Sequence, residues 1–359
     1  MGDPTRLRGR HAIAGIGLSR FGKLPGTSTM GFTLEAARRA IEDCGVARDA
    51  IDGVLALMPA MMGEQHGWAS RVAAFLGLTP SFCSTVLCAF ACQNNPQGVI
   101  PTLFGSPWAI PYGDVGAITF MGHVARRQMH EHGITSRQYG QIAVTWRKHA
   151  ATNPLAQKRA PITLEDHQSS KLINDPLRLL DCCLVTDGGG AVIVTSLERA
   201  CDLRQKPAVI SGLGQVHSSE IIHPWDDGRG GGREAAEGAY RMAGCGARDI
   251  DVVQLYDGFT PLVMHELVAY GFASWDEVGA LVEAGELDVG GRLPANTAGG
   301  LLSEGHLSGF GHVAEAVRQM RGTSHCQVAD ARLSMVTGYG GAPHEPPPTV
   351  AYTVAVLSA

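Results

Sequence analysis

The sequence lacks several features that would assign it at once to a common class of protein. It has no block of lysine and arginine, and its formal net charge is −5, so it has no electrostatic footprint of a nucleic-acid-binding protein. No apolar run reaches the length of a membrane span. The first residues also lack the apolar core of a signal peptide. We therefore expect no nucleic-acid partner, no membrane span and a cytoplasmic location.

Cysteine pairs with metal-ligand spacing are also absent. The chain has nine cysteines, an odd number, mostly inside apolar runs and without a C-x-x-C pair. This usage indicates reduced, buried thiols and no structural metal. The Gly15-Ile-Gly17 pattern lacks the third glycine of a dinucleotide-binding loop, so we expect no bound NAD.

What is present is a globular composition with an alternating order of elements. At 359 residues, 45% of them hydrophobic and 18% charged, the chain predicts two domains or one duplicated domain. The alternation predicts parallel strands with helices on both faces. The predicted strands are His11–Leu18, Asp52–Leu57, Ser84–Cys88, Val115–Met121, Ala191–Thr195 and Ala208–Gly214. The predicted helices are Thr33–Cys44 with Thr33 as N-cap and Gly45 as C-cap, Trp68–Leu76, Arg137–Ala151 and Val313–Met320.

An internal repeat supports duplication. The segment Glu35–Val54 resembles Glu234–Val253, about 200 residues further on, and each copy follows a glycine-bearing apolar strand. We infer two related α/β halves, residues 1–122 with 181–198 and residues 199–359. Residues 123–180 form a polar excursion between them, which is either a lid or binding subdomain or a solvated surface insertion.

A glycine-rich stretch from Asn296 to His312 places His306 on a turn before a predicted helix. A histidine in such a position is suited to proton transfer or to stabilising an oxyanion, although one loop alone is equally an incidental match. The other histidines have no metal-ligand spacing and are interpreted as structural or surface residues. They include His123, His217, His223, His265 and His312.

Taken together, four stretches resemble the thiolase superfamily, in its branch of sterol-carrier-protein-type thiolases, bacterial lipid-transfer-protein-like thiolases and steroid side-chain aldolases. They are Gly133–Val144 with Asn174–Ala191, similar to an inserted loop domain; Leu255–Thr260, similar to a His-Asp-x-Phe turn; Asn296–Gly311, similar to a Gly-His-Pro loop; and Gly338–Ala342, similar to the final glycine loop. The resemblance covers most of the chain. It implies an α/β thiolase-like fold, with two duplicated halves that each hold a five-stranded, mostly parallel sheet and layered helices.

The resemblance also implies site residues. His306 matches the Gly-His-Pro histidine, with Leu307 in place of proline, and Tyr256 falls where relatives carry Asn or His. Tyr339 falls in or next to the position of a catalytic cysteine. A phenol can donate to an enolate oxygen or act as an acid or base, but each tyrosine is also a plausible packing residue. The glycines expected beside the CoA part of the substrate are Gly305, Gly309 and Gly340.

The nucleophile of the thiolase reaction is the least clear element. Cys88 matches by the Cys-Ala pair and Cys92 by its distance to the next strand, but the pocket glycine of relatives is missing and Pro96 interrupts the following helix. A buried structural cysteine is therefore as plausible as a nucleophile on a helix N-terminus at either position.

These residues favour retro-aldol cleavage of a β-hydroxyacyl-CoA side chain, which needs no acyl-enzyme. The alternatives are a β-ketoacyl-CoA thiolase using Cys88 or Cys92, and a non-catalytic acyl-CoA- or lipid-binding subunit. We expect no permanently bound cofactor, with CoA entering as part of the substrate. The resemblance further implies a homodimer and a small OB-fold zinc-ribbon acyl-CoA-binding partner.

Overall fold

The structure is a computed structural model that describes residues 4–56, 67–81, 85–92, 111, 113, 116–218, 231–342 and 349–359. Its strands are β1 (His11–Leu18), β2 (Gly53–Ala56), β3 (Val86–Cys92), β4 (Leu172–Asn174), β5 (Leu177–Arg178), β6 (Gly188–Ser196), β7 (Ala208–Ser218), β8 (Val252–Gln254), β9 (Leu333–Ala342) and β10 (Thr349–Ser358). Its helices are α1 (Thr29–Cys44), α2 (Trp68–Leu76), α3 (Ala117–His132), α4 (Ser136–Thr152), α5 (Leu164–Ser169), α6 (Leu197–Cys201), α7 (Gly232–Ala243), α8 (Thr260–Ala269), α9 (Trp275–Glu283), α10 (Gly300–Ser303) and α11 (Phe310–Arg321). Within these ranges no helix is long and apolar enough to cross a membrane.

The central element is an eight-stranded sheet with the order β2-β3-β6-β1-β7-β10-β9-β8. The first four strands come from the N-terminal half and the last four from the C-terminal half. The halves join through an antiparallel pairing of β1 with β7, in which Ala12 is opposite Val209. Each half therefore continues the sheet of the other.

The two halves repeat the same local design. Gly17 on β1 lies against the Ala36 carbonyl of α1, and Gly214 on β7 lies against the Ala235 carbonyl of α7. A Cβ at either glycine would collide with the helix backbone, so the close approach of strand and helix requires glycine there.

The entry into the second strand of each half is duplicated as well. Asp52 accepts a hydrogen bond from the Thr85 backbone N–H at 2.7 Å, just before β2 and β3 pair. Asp251 accepts one from the Leu333 N–H at 2.9 Å, just before β8 and β9 pair. The repeat seen in the sequence is thus a repeat of structure.

The insert packs into the core of the C-terminal half. Tyr139 and Trp146 of α4 are fully buried and share a hydrophobic cluster with helices α7 to α9. His149 of α4 hydrogen-bonds to Asp288 at 2.9 Å. The interpretation of residues 123–180 as a solvated surface insertion is therefore not supported, because the helical part is held by a continuous apolar interface.

Several expectations about the elements need correction. The prediction of mostly parallel strands was wrong, because five of the seven pairings in the main sheet among the described residues are antiparallel. Each half contributes four described strands to that sheet, where five were expected. The apolar run 115–121 is helical from Ala117 onward, since periodicity does not separate a short buried strand from a buried helix. Helix α1 begins after Ser28, whose Oγ accepts from the Gly31 N–H, and not at Thr33.

Candidate active site

Tyr256 lies on the turn between β8 and α8, where the chain leaves the sheet. Its backbone N–H is shared between the Glu266 Oε2, at 2.9 Å, and the Thr337 Oγ1, at 2.8 Å. Glu266 belongs to α8 and Thr337 to β9, so a helix and the neighbouring strand both hold this turn. The Tyr256 ring is therefore presented from a fixed backbone.

The structure brings together the three side chains expected at the site. The Tyr256 hydroxyl is 3.3 Å from the His306 Nε2, and their rings meet edge to face. The Tyr256 and Tyr339 ring centroids are 6.3 Å apart. All three side chains are half-buried. The three side chains assigned from the motif resemblance thus lie together, Tyr256 and His306 on turns and Tyr339 on strand β9.

The His306 loop is fastened to the rest of the site by its backbone. The His306 N–H donates to the Thr186 Oγ1 at 2.8 Å, which ties the loop to the chain returning from the insert. Asp257 accepts from the Leu301 and Leu302 N–H groups at 2.9 and 3.2 Å. Because Asp257 follows Tyr256 directly, one carboxylate sets the distance between the tyrosine turn and the histidine loop.

His312 was missed as a site residue and was interpreted as structural or surface. It is 3% exposed, its Nε2 lies 2.9 Å from the Asp257 Oδ1, and its ring centroid is 6.3 Å from that of Tyr256. Asn296 holds the adjacent backbone in place, since its side-chain amide accepts from the Leu255 N–H and donates to the Leu255 carbonyl. The available signal was the position of His312 six residues after His306, inside the same glycine-rich stretch.

Burial shifts the pKa values of the two tyrosines and of His306 away from their ordinary values. It raises the pKa values of Tyr256 and Tyr339, so both phenols keep their protons at neutral pH. Burial also lowers the pKa of His306, against the opposing effect of the Asp257 carboxylate, and this favours the neutral imidazole. The site therefore holds two proton donors and one neutral base.

Cys88 is a residue of the central sheet. It lies in the middle of β3, paired with Val192 of β6 and Leu55 of β2, and not at a helix N-terminus. Burial raises the pKa of its thiol to about 11. This position favours the alternative of a buried structural cysteine, because a strand interior supplies no helix dipole to stabilise a thiolate. Strand β3 ends at Cys92, whose side chain lies outside the described residues.

The three glycines expected beside CoA differ in their surroundings. A Cβ on Gly305 would lie 2.9 Å from the Gln157 side-chain nitrogen, so Gly305 packs against protein. Gly309 has a φ of +87° before α11, and Gly309 and Gly340 both face open space. A cleft of about 490 Å³ opens between the Ser308–Phe310 turn and strands β7, β9 and β10. Contact of these glycines with CoA stays a prediction.

No group of three or more histidine, cysteine or carboxylate side chains in the described ranges is arranged to hold a metal ion.

Comparison with known proteins places the chain in a family. The family described as Thiolase C-terminal domain-like matches residues 214–350. A steroid side-chain-cleaving aldolase of Thermomonospora curvata is 36% identical, over 94% of this chain and 97% of the relative. A 17-hydroxy-3-oxo-4-pregnene-20-carboxyl-CoA lyase of Mycobacterium tuberculosis is 34% identical, over 94% of this chain and 98% of the relative.

Solved structures agree with the sequence relatives. The Ltp2-ChsH2(DUF35) aldolase superposes with a TM-score of 0.85 at 34% identity, over 98% of both chains. Human mitochondrial 3-ketoacyl-CoA thiolase superposes with a TM-score of 0.69 at 16% identity, over 98% of this chain and 99% of that one, and so shares the fold. The resemblance inferred from the sequence motifs is thereby confirmed: the chain belongs to the thiolase superfamily, in the branch of the steroid side-chain-cleaving aldolases.

Proposed function

We propose that the chain is a lyase that cleaves the carbon–carbon bond between Cα and Cβ of a β-hydroxyacyl-CoA by a retro-aldol reaction. The observation that carries the proposal is the contact of the Tyr256 hydroxyl with the His306 Nε2, with Tyr339 alongside. The names of two relatives, an aldolase and a carboxyl-CoA lyase, support the same class of reaction.

The first half of the reaction removes a proton from the β-hydroxyl. Tyr256 accepts that proton as it passes its own to the neutral imidazole of His306, so a phenol with a raised pKa never has to exist as a free phenolate. The electron pair of the O–H bond forms the new C=O bond. The Cα–Cβ bond breaks, and its electron pair moves into the thioester as an enolate.

The second half returns a proton to Cα. Tyr339 lies beside Tyr256, with ring centroids 6.3 Å apart, and as a neutral phenol it can protonate the enolate or hydrogen-bond to the thioester oxygen. The proton held by His306 returns through Tyr256 to Tyr339, which restores both groups for the next cycle. One proton thus leaves the hydroxyl and one arrives at Cα, so the reaction needs no oxidant and no second substrate. The products are a carbonyl compound and a shortened acyl-CoA.

Thiolysis has less support than retro-aldol cleavage. It needs a thiolate to hold the acyl group. Burial raises the pKa of Cys88 to about 11 and that of Cys183, a neighbour of Tyr256, to about 12, so both are thiols at neutral pH. No observation in the described part of the chain favours an acyl-enzyme at either residue.

A partner subunit belongs to the same proposal. The solved relative with a TM-score of 0.85 is described as an Ltp2-ChsH2(DUF35) aldolase, which names a second component. The sequence resemblance implies a small OB-fold zinc-ribbon partner and a homodimer. We propose both for this chain, with the acyl-CoA substrate bound against the Tyr256 site.

The test offers two substrates to the purified chain, alone and with its co-expressed partner. A β-hydroxyacyl-CoA whose Cβ is tertiary should yield a ketone and a shorter acyl-CoA by mass spectrometry, without added CoA. A β-ketoacyl-CoA with free CoA should show little conversion. Thiolysis of the second substrate, with the first left intact, would replace the proposal by the thiolase alternative.

A further inference from the structure

One buried carboxyl group behind the site has no part in the reaction as described above. Glu266 on α8 is fully buried, and its Oε2 accepts from the Tyr256 backbone N–H at 2.9 Å and from the Thr337 Oγ1 at 2.6 Å. Thr337 also receives the Tyr256 N–H, at 2.8 Å. These three groups form a closed triangle of hydrogen bonds between a turn, a helix and a strand.

The triangle connects the two tyrosines through the backbone. One corner is the amide of Tyr256 itself. Another corner, Thr337, is on β9 two residues before Tyr339, so both side chains lie on the same strand and point to the same face. Movement of the Glu266 carboxyl would therefore move the Tyr256 turn relative to the strand that carries Tyr339.

A second contact limits the freedom of Tyr339 from behind. Tyr352 on β10 is its direct cross-strand neighbour, and their rings meet edge to face with centroids 5.5 Å apart. Tyr352 is fully buried, so Tyr339 packs against a fixed surface. With the strand position fixed in this way, the hydrogen bonds of Glu266 decide the spacing between the tyrosine rings.

From this geometry, and resting on the retro-aldol function proposed above, we infer that Glu266 is a positioning residue that holds Tyr256 and Tyr339 at their working separation. A carboxyl group suits the task because a single oxygen accepts both hydrogen bonds. A buried oxygen with two donors is also costly to displace, because each donor would lose its partner in an apolar environment.

The carboxyl works in its protonated form, which keeps charge away from the phenols. Burial raises the pKa of Glu266 to about 8, against the lowering effect of the hydrogen bonds from Thr337 and Tyr256. The titratable groups that interact with this carboxyl are Asp257 and Tyr256 on the turn, Tyr270 directly after α8, Tyr339 on β9 and Tyr352 on β10. Glu234 of α7 acts on Tyr352, and His265 is the neighbour of Glu266 on its own helix.

Ionisation of Glu266 has a defined consequence. A negative charge at this carboxyl raises the pKa of Tyr339 further and makes it a weaker proton donor to the enolate. Activity should therefore fall as the pH rises through about 8. In Glu266→Gln the carboxamide oxygen still accepts both hydrogen bonds and cannot ionise, so this alkaline decline should disappear while activity at pH 7 stays within about threefold of the wild type.

The experiment compares Glu266→Gln, Glu266→Leu and Thr337→Val, with Glu315→Gln as a control for a buried, hydrogen-bonded glutamate on another helix. Loss of the triangle should lower kcat by about 10- to 100-fold in Glu266→Leu and less in Thr337→Val, with little change in KM, because misplacement by about 1 Å has effects of this size. Glu315→Gln should keep the wild-type kcat and the alkaline decline.

Crystal structures of the variants supply a readout that does not depend on turnover. In Glu266→Leu or Thr337→Val the Tyr256–Tyr339 centroid distance should depart from 6.3 Å. Unchanged ring separation with unchanged kcat in the folded variants overturns the inference, and so does an alkaline decline that persists in Glu266→Gln. If Glu266→Leu does not fold, Thr337→Val decides. An inactive wild type refutes the proposed function, while the crystal structures still judge the role of Glu266.

Discussion

The two halves of the sheet share one scaffold but bury different side chains. Both pack an alanine-rich helix on a glycine-bearing strand. In both, an aspartate before the second strand, Asp52 or Asp251, accepts a backbone hydrogen bond from the chain that enters the neighbouring strand. The hydrophobic core of the N-terminal half is formed by Ala, Ile, Val and Leu side chains with Trp68 and Cys44, and Thr33, Thr85 and Thr195 are among the polar side chains buried in that half. The C-terminal half buries Asp257, Glu266 and His312 as well.

The register of β2 with β3 can be matched to that of β8 with β9, which identifies the equivalent position of Cys88 in the C-terminal half. Gly53 is opposite Val86 as Val252 is opposite Ser334, so Cys88, two residues after Val86, corresponds to Val336. Cys88 and Val336 also pack in the same hydrophobic cluster. Cys88 thus occupies an apolar strand position of the duplicated fold.

A buried polar group is stable only with its partners in place, so the C-terminal half has to supply them as a network. Asp257 accepts from two backbone N–H groups and pairs with His312, and the Oε2 of Glu266 accepts from Tyr256 and Thr337. The comparison therefore indicates that duplication provides the scaffold and that, among the described residues, the candidate site lies mainly in the C-terminal half. Four predictions test this division.

The largest effect is expected from the tyrosines. Tyr256→Phe and Tyr339→Phe should each lower kcat/KM for the β-hydroxyacyl-CoA by about 10²- to 10⁴-fold, because each removes a proton-transferring group. Cys88→Ala should change it by less than about threefold, since Cys88 only packs in a strand. Steady-state kinetics on the three variants measures this contrast. Full activity of both phenylalanine variants together with an inactive Cys88→Ala would reverse the assignment of the halves.

The next largest effect is expected at His306. His306→Asn should lower kcat/KM by about 10²-fold and change its pH dependence. The neutral imidazole is the active form and burial lowers its pKa from the ordinary value, so the acidic decline of wild-type kcat/KM should appear as the pH falls through that depressed value. His306→Asn should lack this acidic decline, and His325→Asn, an exposed control, should keep it. A pH–rate profile from pH 5 to 9 measures it; an unaltered profile in His306→Asn would remove His306 from the reaction.

Breaking the buried pair in the C-terminal half should cost more stability than breaking an ion pair at the surface. Asp257→Asn should lower the free energy of unfolding by about 3–5 kcal/mol, because it leaves His312 and two backbone N–H groups without their anionic acceptor. Glu35→Gln, which loses its ion pairs with Arg20 and Arg39, should cost less than about 1 kcal/mol. Urea denaturation measures both, and equal losses would contradict the proposed asymmetry.

The smallest effect tests what the halves have in common. Gly17→Ala and Gly214→Ala should destabilise the protein to a similar extent, about 1–3 kcal/mol each, because the new methyl collides with a helix carbonyl in both. Gly238→Ala, at a helix position where the new methyl would meet only the Gly214 Cα at an ordinary contact distance of 3.6 Å, should instead stabilise by about 0.5–1 kcal/mol. Thermal unfolding measures all three. A large loss in only one half would show that the two glycine contacts are not equivalent.

Some features of the molecule could be read directly from the sequence. The strand His11–Leu18, the helix Trp68–Leu76 and the Gly45 C-cap are found as predicted, because local periodicity and cap chemistry determine them. The similarity of the segments Glu35–Val54 and Glu234–Val253 likewise indicated the duplication. Motif resemblance then placed Tyr256, His306 and Tyr339 in the site.

Other features depended on contacts distant in sequence. Strand direction, the burial of the insert against α8, and the strand position of Cys88 follow from how the halves pair, which no local pattern encodes.

By itself, then, the sequence determined the repeated strand–helix units and the residue types available for proton transfer. Only the tertiary structure decided that His312 and Glu266 lie against the Tyr256 turn and that Cys88 lies inside a strand. The physical reason is that a side chain's charge state and freedom depend on what surrounds it after folding, and those neighbours come from distant parts of the chain.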